Sequence, residues 1–265
     1  MIFLKDKDSL KNLCLDQLII LDSLDKKKIK IFSHSLRELN RLRSVSVNEN
    51  PSPWFKENTS SLKICMLNCA GLRCHIKDIR NDPCLMKANI MHFVETSLEK
   101  NSTVDDLQID RYLSNFLKIS RGKGITTFLQ GNSLTFEKNF VEHGIQVMKY
   151  TSFDLTLVAV YRSQNGNIGT LLEFLSDIFE ERKAVLITGD FNICNEKKPN
   201  NAVKTTLLEK GFKLLMNEFT QNLGGHIDHA YWRDSQKFYE NPSIERYSPY
   251  FSDHDALCIS LKKIE

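Results

Sequence analysis

A carboxylate and a carboxamide, Asp190 and Asn192, stand two residues apart in the stretch Gly189-Asp190-Phe191-Asn192, just after the apolar run 184–187. In an extended segment, side chains two apart leave from the same side, so this pair can converge on one ligand. A carboxylate and an amide together suit phosphate chemistry. The same tetrapeptide also fits an Asx turn at a strand end. Other stretches of the same kind lend it weight: Asn68 ahead of Ala70-Gly71, Glu95 after the apolar run 88–94, Tyr161 and Arg162 after 155–160, Asp228 between Ile227 and His229, and Asp253 with His254 ahead of 256–261. A carboxylate at the end of a buried strand, as Glu95 reads, is costly unless it is paired or holds a cation.

The elements that must carry these groups follow from local pattern. The runs 62–67, 88–94, 125–129, 155–160, 184–187 and 256–261 are short and largely apolar, as suits strands covered on both faces. Gly189 is read as the point where the backbone turns. One helix is expected over 170–181, with Thr170 and Glu173 as a capping box and Leu171, Leu172, Phe174, Leu175, Ile178 and Phe179 as its apolar face. A second is expected over 202–210, stopped by Gly211. Residues 1–60 differ, with a cationic run at 26–30 and a Pro-containing linker at 48–53, and read as a basic arm or the tail of a neighbouring module.

Composition narrows the classes. The chain has 265 residues and is 41% hydrophobic, enough for one substantial core with an appendage. The net charge of +3 comes from residues 1–60, while residues 61–265 carry 25 basic and 25 acidic side chains. A nucleic-acid surface therefore has to come from local clustering rather than from an overall positive charge. The longest uninterrupted apolar run, 157–161, is far too short to span a bilayer. Seven cysteines without a secretory signal point to a reducing compartment. Cys65, Cys69, Cys74 and His75 lack the paired knuckle spacing of a structural zinc site.

The ordered series N-x-x-G-L, E-T, Y-R, G-D-F-N, I-D-H and S-D-H, over about residues 62–262, resembles the endonuclease/exonuclease/phosphatase superfamily. The I-D-H and Y-R variants look most like endonuclease domains of mobile elements, whether non-LTR retrotransposons or Helitron-type helicase fusions. The resemblance implies an α/β fold: a four-layer α/β sandwich of two mixed β-sheets face to face, helices outside, with the site at one end of the sheets. It implies Mg²⁺, with Mn²⁺ as the alternative, held by Glu95 with Asn68 nearby, and with Asp253 supporting a second metal position or the network around His254. It further implies that Asp190 orients or deprotonates water, Asn192 holds the scissile phosphate and Tyr161 donates to a phosphate oxygen. His254 would stabilise the developing charge, and Asp228 would orient its imidazole and favour its protonated form. Arg162 would contact the nucleic-acid backbone. Many repair relatives carry an acidic or amide residue where this chain has Ala70, which shifts weight onto Glu95 and Asn68. His226 and His229 read as structural or substrate-facing, and Ser252 as a residue that orients the last loop.

The expected activity is a Mg²⁺-dependent phosphodiesterase that nicks DNA and leaves a 3′-hydroxyl. The expected setting is a monomeric, intracellular and nuclear domain, free or as part of a larger helicase or reverse-transcriptase polyprotein, with no membrane partner. The alternatives are an abasic-site repair nuclease, an RNA nuclease or deadenylase, a small-molecule phosphatase, and an inactive nucleic-acid-binding module.

Overall fold

The computed structural model describes residues 54, 60–131, 134–221 and 225–264. The expectations for an N-terminal arm fall outside these residues, apart from Trp54 and Ser60. Everything below concerns the compact unit Ser52–Glu265.

Strands form where short apolar runs were expected, and their side chains divide by period two between two environments. In β1 (Ser61–Asn68), Ile64 and Met66 enter one cluster, while Cys65 and Leu67 enter another. In β8 (Ala184–Asp190), Ala184 and Leu186 join the first cluster, and Val185 and Ile187 pack elsewhere. The shared cluster is the filling between two sheets. It also holds Leu155, Leu157, Ala159 and Tyr161 of β7 (Leu155–Arg162) and Leu257, Ile259 and Leu261 of β12 (Ala256–Lys262).

The first sheet includes β2 (Ile90–Val94), β3 (Tyr112–Leu117), β4 (Ile125–Gln130) and β11 (Ser243–Tyr247), and runs β11-β12-β1-β2-β4-β3. The second includes β5 (Thr135–Glu142), β6 (Ile145–Thr151), β9 (Lys213–Leu214) and β10 (Asp228–Arg233), and runs β5-β6-β7-β8-β10-β9. Each is mixed: β1 and β2 are parallel, as are β7 and β8, and the remaining pairs are antiparallel.

Helices cover the outer faces. Helix α1 (Leu72–Asn81) packs Leu72, Ile76 and Ile79 on the first sheet. Helices α2 (Ile168–Phe179) and α3 (Ala202–Glu209) pack Leu171, Leu175, Ile178, Val203 and Leu207 on the second. The result is the expected four-layer sandwich. No helix among the described residues is long and apolar enough to cross a membrane.

Two local expectations are corrected, and one helix was not expected. Helix α2 begins before Thr170, because Asn167 is its N-cap and accepts a hydrogen bond from the Thr170 N–H at 3.2 Å. An Asx side chain in that position satisfies an otherwise orphaned donor, and this moves the start upstream of the capping-box pattern. Gly189 is a strand residue, not a turn: a Cβ there would lie 1.8 Å from the Val160 carbonyl oxygen of β7, so only glycine allows the two strands to approach. Helix α1 has no counterpart among the sequence expectations, where Cys74 and His75 enter only through metal spacing. In the fold Cys74 is exposed on that helix while Cys65 and Cys69 are buried, and all three are free thiols.

Candidate active site

The topology delivers every polar strand end to the same edge of the sandwich. The parallel pairs end together, so Tyr161 of β7 lies beside Asp190 of β8. β10 runs antiparallel to β8 and starts where β8 stops, which sets Asp228 directly opposite Asp190. β12 runs antiparallel to β1, so the loop holding His254 arrives beside Asn68. Left-handed residues then turn the chain out of the strands: Ala70 (φ 48°), Glu95 (φ 51°) and Asn192 (φ 50°). Such conformations in residues other than glycine cost free energy and gather at functional sites.

Side-chain hydrogen bonds bridge the sheets at this edge. The Asn68 side-chain nitrogen donates to Asp190 Oδ2 at 2.9 Å, and the Tyr161 hydroxyl donates to Glu95 Oε1 at 3.0 Å. Tyr161 also faces the Gly122 carbonyl oxygen at 3.0 Å, so its single proton serves two acceptors. Burial, and then the charge of Glu95, push this phenol up. Asn68 is further braced, since its Oδ1 accepts from the Ala70 N–H at 3.1 Å and its backbone carbonyl accepts from Ser252 Oγ at 2.7 Å. Ser252 Oγ in turn accepts from the His254 N–H at 3.0 Å, tying the last loop to β1.

The centre of the site is acidic and dry. Asp190 is 1% exposed and its Oδ1 accepts from the Asn192 N–H at 2.8 Å. Asp228 is also 1% exposed; its Oδ2 accepts from His254 Nδ1 at 2.8 Å, while its Oδ1 is buried without a partner. Like charges directly opposite on paired strands repel. Burial, and then the charge of Asp228, lift Asp190 well above the usual carboxylate range, against the opposing pull of His254, Asn68 and the Asn192 N–H. Burial alone would lower His254, but the hydrogen bond and charge of Asp228, with Asp190 and Asp253 behind, raise it to about 9. His254 is therefore an imidazolium at neutral pH.

The donor set fits a divalent cation. One ligand-type atom each of Asp190, Asp228 and His254 lie within 4.8 Å of one another; His254, as an imidazolium, has no lone pair to give, so the two carboxylates are the donors, and Asp228 Oδ1 has no hydrogen-bond partner among the described residues. Hard cations prefer such carboxylate oxygens, and a buried carboxylate pair that is not protonated needs positive charge. Glu95, half-buried at the same edge, offers a further carboxylate. Asp253 is exposed and lies outside the three-residue cluster.

Arg162 does not reach a surface. It is 7% exposed and donates to the carbonyl oxygens of Gly166 and Phe191 at 2.9 Å, Gln164 at 3.1 Å and Asn192 at 3.3 Å. The expectation of a nucleic-acid contact is corrected: this guanidinium divides its donors between the turn that follows its own strand, at Gln164 and Gly166, and the loop that carries Asn192. The Asn192 side chain donates back to the Arg162 carbonyl at 2.8 Å. His226 and His229 are both buried, and His229 stacks on Phe191 with ring centroids 4.9 Å apart. Burial, and then His226, push His229 down to about 3, so it is a neutral packing group. Sequence reasoning missed Thr220, whose Oγ1 accepts from the Asp228 N–H at 3.2 Å. No spacing announces it, because its partner is a backbone group.

Among solved structures, the 3′-5′ exonuclease NExo of Neisseria meningitidis aligns with 16% identity over 76% of this chain and 99% of its own, at a TM-score of 0.58. TDP2 of D. rerio, in complex with a single-strand DNA product, gives 14%, 77% and 100% at 0.58. The endonuclease domain of TRAS1, a telomere-specific non-LTR retrotransposon, gives 14%, 77% and 100% at 0.55. The chain shares the fold of these three proteins, the DNase I-like four-layer sandwich. No family profile and no curated protein sequence matches the chain. Within that fold the six strand-end motifs fall at one edge of the sandwich.

Proposed function

We propose that the protein is a Mg²⁺-dependent phosphodiesterase that nicks DNA and leaves a 3′-hydroxyl, of the mobile-element type. The observation that carries this reading is the buried Asp190–Asp228–His254 cluster, cross-braced from the opposite sheet by Asn68. The similarity in fold to a retrotransposon endonuclease domain and to proteins crystallised with DNA supports it.

The residues divide the work by protonation state. His254, held charged by Asp228, presents Nε2–H to a phosphate oxygen and stabilises the charge that builds there. Asp190 has both oxygens fixed, one by Asn68 and one by the Asn192 N–H, so its orientation is set before substrate arrives. Its raised affinity for a proton makes it a competent base near neutral pH. It takes a proton from water as the oxygen attacks phosphorus and the bond to the 3′ oxygen breaks, that oxygen taking a proton from solvent to leave as the 3′-hydroxyl. Tyr161 positions Glu95, and Arg162 helps hold the loop of Asn192. Asp228 and Glu95, with Asp190 beside them, would hold a divalent cation, which when bound would supply charge neutralisation for the phosphate.

The test is nicking of supercoiled plasmid in Mg²⁺ or EDTA, comparing the parent with His254→Ala and adding an abasic-site duplex. Mg²⁺-dependent nicking of intact DNA that the variant loses is the expected result. Cleavage confined to the abasic duplex would reassign the protein to repair chemistry, and binding without cleavage would make it a nucleic-acid-binding module.

A further inference from the structure

Phe219 is 44% exposed, and it differs from the other exposed rings, Phe136 and Phe153, in belonging to the segment that binds the loop of His254. It lies on a segment clasped to the loop of His254. Thr220, its neighbour, is fully buried; its carbonyl accepts from the Asp255 N–H at 2.7 Å, and its hydroxyl accepts from the Asp228 N–H. Gln221 forms a β-bridge with His254 itself. On the other side, Arg246 donates to the Phe219 carbonyl, pairs with Glu218 at 2.9 Å and reaches Asp255 at 3.4 Å. The backbone of residue 219 is thus pinned from both directions while its ring faces solvent.

Nearby aromatic rings are engaged differently. Phe251, three residues before His254, stacks on His75 at 5.2 Å and packs against the outer core, and Tyr250 meets it edge-on at 5.5 Å. Phe219 has no such ring partner among the described residues.

The charge balance says what such a ring is for. With 25 basic and 25 acidic side chains over residues 61–265, net charge adds little to the hold on a duplex through its phosphates, which gives short-range contacts more weight. Stacking on an aromatic face is the contact open to every base once it has left the helix.

Resting on the phosphodiesterase reading above, we infer that Phe219 is a specificity-determining residue that stacks an unpaired nucleobase next to the scissile phosphate, so the preferred substrate is single-stranded or locally unpaired DNA. The ring stands on a backbone fixed next to Thr220 and Gln221, which bond Asp228 and bridge to His254, so a base stacked on it is held by the same segment that braces the catalytic edge.

The full chain with Mg²⁺ is assayed on three substrates: a labelled single-stranded oligonucleotide, the blunt duplex of the same sequence, and the base-free ester bis(p-nitrophenyl) phosphate. The parent is expected to prefer the single strand to the duplex. Phe219→Ala should lower kcat/KM on the single strand about tenfold relative to the base-free ester, chiefly through KM, and Phe219→Trp should restore it. Thermal melts of both variants check that they fold. An equal loss on all three substrates, or no loss on the single strand, would overturn the inference. Hydrolysis of the base-free ester in either case would show that the phosphodiesterase reading survives it. Absence of hydrolysis on all three would remove that reading, and this inference with it.

Discussion

Asp190 and Asp228 sit directly opposite one another on paired antiparallel strands, each 1% exposed. Two buried carboxylates in register are kept together by protons, by His254, or by a cation. Each choice leaves a measurable trace.

Stability should fall as pH rises in metal-free buffer. His254 is raised from 6.5 to about 9, so its contribution is fully present below pH 6.5 and lost as pH climbs through about 9. A tenfold gain in proton affinity is worth ~1.4 kcal/mol, so that contribution is on the order of a few kcal/mol. Asp190 is raised too, so its folded form also binds the extra proton, and its effect has the same sign over a lower window beginning near pH 4. Thermal melts in EDTA from pH 5 to 9.5 check this. A flat profile would count against the protonated His254.

Divalent cation should replace the missing proton. Saturating Mg²⁺ should raise Tm more at pH 8.5 than at pH 6, where protons compete for the same carboxylates. An equal rise at both pH values would place the ion elsewhere.

Asp190→Asn should separate activity from stability. Removing the base is expected to cost at least ~10²-fold in kcat, whereas relief of the buried like-charge pair should offset the acceptor lost to Asn68 or to the Asn192 N–H, so Tm in EDTA at pH 8 should change little. Circular dichroism melts alongside the nicking assay read both outcomes.

Arg162→Met should behave as damage to a loop rather than as loss of a DNA contact. Its guanidinium serves four backbone carbonyls, so kcat should drop as Asn192 moves. The salt dependence of DNA binding should keep its slope, whereas a lost phosphate contact would lower that slope by about one.

Gly189→Ala should be among the most damaging single-methyl changes in the chain. Its Cβ would meet the Val160 carbonyl at 1.8 Å, forcing β7 and β8 apart next to Asp190. A loss of about 3 kcal/mol or more in urea unfolding is expected.

The strands that carry the site were legible because both of their faces are buried, which leaves continuous apolar runs ending in polar residues; β1, β2, β7, β8 and β12 are of this kind. The edge strand β5 was not legible, since nearly every residue from Thr135 to Glu142 faces solvent at least in part and no apolar run marks it. Residue types at the site could be read from sequence, but their surroundings could not. Arg162 looks like a surface cation until the carbonyls around it are seen, and Thr220 acts on a backbone N–H that leaves no motif. Asp253 and His254 are adjacent in sequence, yet one is exposed and the other is 6% exposed.

The hydrogen bonds from Asn68 to Asp190 and from Tyr161 to Glu95 each join one sheet to the other. Neither sheet alone owns a working centre. His254, moreover, enters with β12, which inserts beside β1 among the described strands. The cluster is therefore complete only when the two sheets have closed on each other and β12 is seated, so the geometry of the site reports on completed folding.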